Sequence, residues 1–138
     1  MFNFFIKKGC VETINFQNMQ HMTKDSNAII INTMDHSEQE CLIINTIDIN
    51  RETQIINTLI DNYDFKSKKM VIYGKHCNDL AVNIKASQLS EFGFMYIYVY
   101  TGGLFEWILL QDIYTSEHFQ TTTVVNDILK FKPHKIMV

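Results

Sequence analysis

Arginine is almost missing from this sequence, which has one arginine, Arg51, against eleven lysines. A guanidinium group can hold sulfate, phosphate or carboxylate through two parallel hydrogen bonds, so any such clamp must use Arg51 or do without arginine. Basic charge is not in excess either, because the net charge is −3 at pH 7 and the pI is near 5.9. Nucleic acids and anionic membranes require a basic face, so neither is expected as a partner.

Cysteines are few and far apart. Cys10, Cys41 and Cys77 include no Cys-x-x-Cys pair, and an odd number of dispersed cysteines favours a reducing compartment over a disulfide framework. No stretch approaches the ~20 apolar residues that span a bilayer. The short apolar run at residues 4–6 precedes two lysines, which is the wrong charge order for a signal peptide. We therefore expect a cytoplasmic protein with no membrane partner.

Linkers are also missing, because one proline and five glycines are spread over the 138 residues without a cluster. Hydrophobic residues make up 46 % and charged residues 20 % of the chain, as in ordinary folded domains. We predict a single domain over residues 1–138, whose tail, about residues 119–138, packs on the domain or on a partner. The preference for isoleucine, asparagine and lysine is typical of AT-rich genomes, including those of large viruses, for which a virion or viral factory would be the location.

Apolar segments with strand and helix periodicity alternate along the chain. Strands are predicted at residues 28–33, 42–47, 70–73 and 96–100. Helices are predicted around residues 55–63, 79–92 and 104–114. Strands that alternate with helices of this length indicate right-handed βαβ units. The fold class predicted is therefore α/β, with a mainly parallel sheet of about five strands and helices on both faces.

The same periodicity predicts which helix faces are buried. The first helix should bury Ile55, Ile56, Leu59, Ile60 and Tyr63. The second should bury Leu80, Ile84, Leu89 and Phe92, with Gly93 as its C-terminal stop.

A series of short motifs between residues 70 and 107 is the most specific pattern in the sequence. In order, they are a strand ending in Tyr73, the loop Gly74, Lys75, His76, Cys77, Asn78 and Asp79, a helix, Gly93 and Phe94, an aromatic strand, and Gly102 and Gly103 followed by Trp107. This order resembles the C-terminal half of rhodanese-like domains. The tail is similar to an uncharacterised eukaryotic and viral branch of that family. The resemblance implies a rhodanese-like α/β fold.

The resemblance also identifies what the loop lacks. In active members a cysteine directly follows the strand's tyrosine, and its thiolate lies in a ring of backbone N–H groups before a helix. Here Gly74 has that position, Cys77 stands where the family has glycine, and Asp79 stands where it has arginine. A carboxylate at a helix start caps the helix and repels an anionic substrate. We therefore expect a pseudoenzyme, a sulfurtransferase-related domain that serves as a binding or structural module.

Cys77 leaves an enzymatic alternative open. With Lys75 and His76 adjacent and a helix start nearby, its thiolate could accept sulfur or react with an oxidant, as in a divergent sulfurtransferase or thiol-redox enzyme. A cysteine-dependent phosphatase is excluded, because such enzymes require an arginine six residues after the cysteine and this position is Asn83. The histidines show no zinc-site spacing, so neither a metal nor another cofactor is expected.

The third predicted helix is apolar on nearly every side. Trp107 is expected to pack on the sheet, which leaves Phe105, Leu109 and Tyr114 for the C-terminal tail or for another protein. These three are the interface candidates, and the partner would be another protein or a second copy of the chain.

Overall fold

Four parallel strands form the sheet of this computed structural model, which describes residues 10–134. The strands are β1 (Cys10–Ile14), β2 (Ala28–Asn32), β3 (Lys69–Tyr73) and β4 (Tyr96–Tyr100), in the order β1-β4-β3-β2. The helices are α1 (Phe16–Met22), α2 (Ile49–Asp61), α3 (Leu80–Phe92) and α4 (Gly103–Ile113), with one 3-10 turn at His36–Glu38. The predicted α/β class with a parallel sheet is confirmed. The apolar run at residues 4–6 and the last residues of the tail, 135–138, lie outside the described residues.

The sheet has four strands in the described range instead of about five. Residues 42–47, predicted as a strand, make only isolated bridges, between Ile43 and Thr121 and between Thr46 and Ile30. The reason lies at Asn45, whose φ of 66° is left-handed. A β-strand cannot continue through that conformation, and asparagine tolerates it better than most residues.

The sheet is covered on both faces. One core cluster contains Ile31, Ile72 and Ile97 of the strands with buried residues of α2 and α3. The other contains Val71 and Tyr100 of the strands together with α1, α4 and two residues of the tail segment, Phe119 and Phe131.

The buried face of α3 differs from the predicted one. Leu89 is buried as predicted, but Leu80, Ile84 and Phe92 are 72 %, 60 % and 51 % exposed. The residues that join Leu89 in the core are Val82 and Ala86. Both candidate stripes are apolar, and the smaller residues allow the helix to approach the sheet closely.

The buried face predicted for α2 is wrong only at the C-terminal end of the helix. Tyr63 lies beyond the last residue of the helix, has a left-handed φ of 53° and is 85 % exposed. None of the helices within residues 10–134 is long and apolar enough to cross a membrane.

Candidate functional site

Strands β3 and β4 are neighbours whose following helices cover opposite faces of the sheet. In parallel α/β sheets the crevice at the carboxyl ends of two such strands is the usual position for a ligand. Here it is bounded by residues 74–79 after β3 and residues 101–103 after β4. The topology and the sequence motifs therefore point to the same loop.

Backbone hydrogen bonds close this crevice. The N–H of Leu104 donates to the carbonyl of Gly74 over 2.9 Å, and the N–H of Phe105 donates to that of Lys75 over 2.8 Å. Gly103 permits this contact, because its φ is 68° and a Cβ there would lie 2.8 Å from Gly74 O and 2.9 Å from His76 N. The loop is thus joined directly to the first turn of α4.

The Asp79 carboxylate fills the interior of the loop. Its Oδ1 accepts the N–H of Ala81 over 3.0 Å, which caps α3. Its Oδ2 accepts the N–H of Lys75 and the hydroxyl of Thr33, each over 3.3 Å. A Cβ added at Gly74 would collide with this Oδ2, so the carboxylate lies where a side chain at residue 74 would have to be.

The remaining loop side chains are engaged with neighbours. Lys75 Nζ forms an ion pair with Glu38 at 2.6 Å. His76 Nδ1 accepts the N–H of Asn78 over 3.1 Å. Cys77 is exposed, and its Sγ lies 3.8 Å from the side-chain oxygen of Asn78. The positive charge of Lys75 is therefore paired with Glu38 and does not stabilise a thiolate at Cys77.

An open cleft of about 480 Å³ lies beside the loop. Its walls include Asp35 and Asp79, and its lining also includes Lys130, Lys132 and His134 from the tail segment. No sequence pattern associates these three residues with the loop, because more than fifty residues separate them from Cys77. Among residues 10–134, no group of three His, Cys, Asp or Glu side chains is placed to hold a metal ion.

Tyr73 is the last residue of β3, directly before the loop, and its side chain anchors that end of the strand. Its side chain is fully buried, the N–H of Ile43 donates to its oxygen over 3.1 Å, and Thr46 Oγ1 lies 2.8 Å from it. Burial raises the pKa of Tyr73, although these hydrogen bonds act in the opposite direction. The tyrosine therefore ties the 43–46 segment to the end of β3, a role that its position in the motif did not indicate.

The other motif residues serve the packing. Gly93 ends α3 with a φ of 110°, and Phe94 is fully buried. Trp107 is also fully buried, and its ring lies edge-on to that of Tyr100 in β4. Its Nε1 donates to the carbonyl of Gln120 over 3.0 Å, which ties α4 to the tail segment.

The interface candidates on α4 differ in exposure. Phe105 and Leu109 are half-buried, and Phe105 packs against the core cluster of α4. Tyr114 is 62 % exposed and its ring stacks on the buried Phe119 at 6.1 Å. Ile113, which was not among the candidates, is also exposed. The exposed apolar side chains of this segment therefore lie at the C-terminal end of α4, and the tail segment packs in the same cluster as Trp107.

No family model and no curated protein matches the chain. Solved structures with a similar fold include the following three. An uncharacterized protein from Saccharomyces cerevisiae is 14 % identical with a TM-score of 0.53, covering 71 % of this chain and 91 % of its own. The BH2092 protein from Bacillus halodurans is 18 % identical with a TM-score of 0.53 and 70 % of each chain covered. The Alr3790 protein from Anabaena sp. is 14 % identical with a TM-score of 0.57, covering 81 % of this chain and 93 % of its own. At these identities the likeness extends to the fold alone.

Proposed function

We propose that this protein is a rhodanese-like domain without sulfur-transfer activity that acts inside the cell as a protein-binding or structural module. The observation that carries the proposal is the position of the Asp79 carboxylate. It takes up the space beside Gly74 and accepts hydrogen bonds from two backbone N–H groups of the loop region, those of Lys75 and Ala81. An anionic sulfur donor would have to displace a like charge that the protein itself supplies.

Two further contacts support the absence of catalysis. The N–H groups of Leu104 and Phe105, at the start of α4, are bonded to the loop carbonyls instead of facing an open cradle. Lys75, the nearest cation in sequence to Cys77, is paired with Glu38. A nucleophile in this loop would therefore not have the Lys75 ammonium as an unpaired positive charge to stabilise its thiolate.

The association surface in this proposal is the end of α4. Tyr114 borders a shallow groove of about 310 Å³ together with Phe16, His118 and Phe119. Ile113 adds an exposed aliphatic side chain on the next residue. Aromatic side chains with a polar edge are enriched at protein interfaces, so a second copy of the chain or another protein would bury this surface.

A sulfur-transfer assay tests the catalytic half of the proposal. The purified protein is expected to show no thiosulfate:cyanide turnover above buffer. The second candidate function, a sulfurtransferase or thiol-redox enzyme using Cys77, is favoured only by the exposure of that thiol in the loop. Turnover that is lost in Cys77→Ser but kept in Cys41→Ser, where the buried thiol serves as control, would establish that candidate instead.

Light scattering after size exclusion tests the association half. We expect the wild type to form a complex with itself that Tyr114→Glu disrupts. Tyr63→Glu is the matched control, because Tyr63 is also highly exposed but follows α2, which packs on the other face of the sheet. A wild type that remains a monomer at high concentration, or equal effects of the two variants, would reject self-association through this surface.

A further inference from the structure

Another pocket lies on the other side of β4, at the carboxyl ends of β1 and β4. It has a volume of about 400 Å³, and the residues that line it include Thr13, Asn15, Phe16, Asn18, Thr101 and Glu106. Glu106 is the one charged residue among the described residues that line it. The pocket therefore has a net negative charge, in contrast to the mixed charges of the cleft beside the 74–79 loop.

The Glu106 carboxylate is held in a fixed position. Tyr100, which is almost fully buried, donates its hydroxyl hydrogen to Glu106 Oε1 over 2.6 Å. Burial raises the pKa of Tyr100, and the hydrogen bond to Glu106 raises it further, so the hydroxyl remains a donor. Gly102 leaves room for the carboxylate, because a Cβ there would lie 2.5 Å from Oε1 and 2.7 Å from Oε2.

No cation of the described chain neutralises this carboxylate. The ion pairs found within residues 10–134 join Lys69 to Asp25, Lys75 to Glu38 and Lys85 to Glu52. A half-buried carboxylate without a cationic partner favours a ligand that brings the positive charge.

The amide side chains in the pocket indicate what kind of cation fits. Asn15 Oδ1 accepts the N–H of Asn18 over 2.9 Å, and Asn18 Oδ1 accepts the N–H of Asn15 over 3.2 Å. These oxygens are therefore committed to the cap of α1, whereas Ca²⁺ requires six to eight oxygen ligands. The amide groups that remain for a ligand are the NH₂ donors, which suit an oxygen acceptor on it.

We propose that this pocket binds a small primary ammonium compound that carries an oxygen acceptor next to its amine, as a peptide N-terminus does. Glu106 pairs with the ammonium group, and the hydroxyls of Thr13 and Thr101 accept its remaining hydrogens. Asn15 and Asn18 donate to the oxygen acceptor, and Phe16 contributes an apolar wall. This site is separate from the 74–79 loop, so its test does not depend on whether that loop is catalytically inactive. It shares Phe16 with the groove beside Tyr114, but its charged group, Glu106, does not line that groove.

Glycinamide is a suitable probe, and glycolamide, in which a hydroxyl replaces the ammonium, is its neutral counterpart. Glycinamide titrated into ¹⁵N-labelled protein should give saturable shifts of the backbone amide signals of Thr13, Asn15, Thr101 and Gly102. Glycolamide should bind at least about tenfold more weakly, because it lacks the charge-assisted hydrogen bond.

Two variants test the role of the carboxylate. Glu106→Gln keeps an oxygen that can accept from Tyr100 but removes the charge, and it should weaken glycinamide binding by about tenfold or more. Thr101→Lys removes one of the proposed acceptor hydroxyls and places a competing cation at the exposed rim, while Tyr100 and Glu106 are kept. It should weaken binding to at least a similar extent. Asp112→Asn, on an exposed part of α4, removes the same charge away from the pocket and should leave the affinity unchanged.

The proposal would be overturned if glycinamide gave no saturable shifts at these residues, or if glycolamide bound equally well. Equal affinities of Glu106→Gln and Asp112→Asn would overturn it too. If the spectrum showed that Glu106→Gln does not fold, Thr101→Lys would decide, since unchanged affinity in that variant contradicts a cation site.

Discussion

Strand β4 borders two crevices at its carboxyl end, one with β3 and one with β1, and each contains a carboxylate. In the first, both oxygens of Asp79 accept hydrogen bonds from the protein's own donors. In the second, Glu106 Oε1 accepts from Tyr100, and the carboxylate lines an open pocket. A carboxylate alone therefore does not indicate a site. What distinguishes the two is whether the surrounding chain has already supplied its partners.

Two adjacent glycines separate these crevices. Gly103 lets the 74–76 backbone approach the first turn of α4, and Gly102 lets the Glu106 carboxylate lie against the backbone. The Gly-Gly pair thus closes one crevice and shapes the other.

The largest effect is expected at Gly103. Gly103→Ala combines a left-handed φ with a collision against backbone atoms that cannot move aside, and should lower the free energy of unfolding by about 3 kcal/mol. Gly93→Ala is the control, since its φ is also positive but its added methyl would meet only Phe65 at 3.7 Å. We expect a loss of about 1 kcal/mol there, measured by urea denaturation. Equal losses would contradict a tightly closed β3–β4 crevice.

Gly74→Ala tests whether Asp79 occupies the space of a side chain at residue 74. The methyl would displace the carboxylate from its capping position and press on Val82, with an expected loss of about 2 kcal/mol. In an Asp79→Ala background the same substitution should cost about 1 kcal/mol less. A double-mutant cycle from denaturation curves measures this coupling, and additive losses would show that the two positions do not compete.

Tyr73→Phe and Tyr100→Phe compare the two strand ends. Removing the Tyr73 hydroxyl leaves the N–H of buried Ile43 without its acceptor, so we expect a loss of about 1.5 kcal/mol. Removing the Tyr100 hydroxyl should cost about 1 kcal/mol or less, because the half-exposed Glu106 can bind water instead. If Tyr100→Phe were the more damaging variant, the pocket would be less open to water than the structure indicates.

Alkaline pH should weaken the fold through the same tyrosines. Burial raises the pKa of both Tyr73 and Tyr100 in the folded state. The folded protein then keeps protons that the unfolded chain loses near pH 10, so stability is retained below about pH 10 and falls as the pH rises further. Urea midpoints measured from pH 8 to pH 11 should fall less steeply in Tyr73→Phe than in the wild type. Parallel curves would contradict this assignment.

The smallest effect is expected at Lys75. Its ion pair with Glu38 is about one-third exposed, so Lys75→Gln should change the free energy of unfolding by no more than about 0.5 kcal/mol. Lys85→Gln should cost somewhat more, because its partner Glu52 is buried. Thermal melts at low and high salt check both, and a large loss at Lys75 would show that its pairing stabilises the loop.

Local pattern was sufficient for several elements. The β-branched and aromatic run at residues 96–100 is the strand β4 as predicted, and Asp79 caps α3 as a carboxylate at a helix start should. The strand predicted at residues 42–47 is wrong, because Asn45 adopts a left-handed conformation. The periodicity of apolar residues carries no information about that backbone conformation.

The sequence alone determined the α/β class, the order of most elements and the presence of glycine directly after Tyr73, because these depend on neighbouring residues and on periodicity. The tertiary structure decided which stripe of α3 faces the sheet, that Asp79 fills the space beside Gly74, and that Glu106 meets Tyr100 beside an open pocket. Those outcomes depend on how closely separate segments approach one another. That distance is set by packing across the whole domain and leaves no periodic signal in the chain.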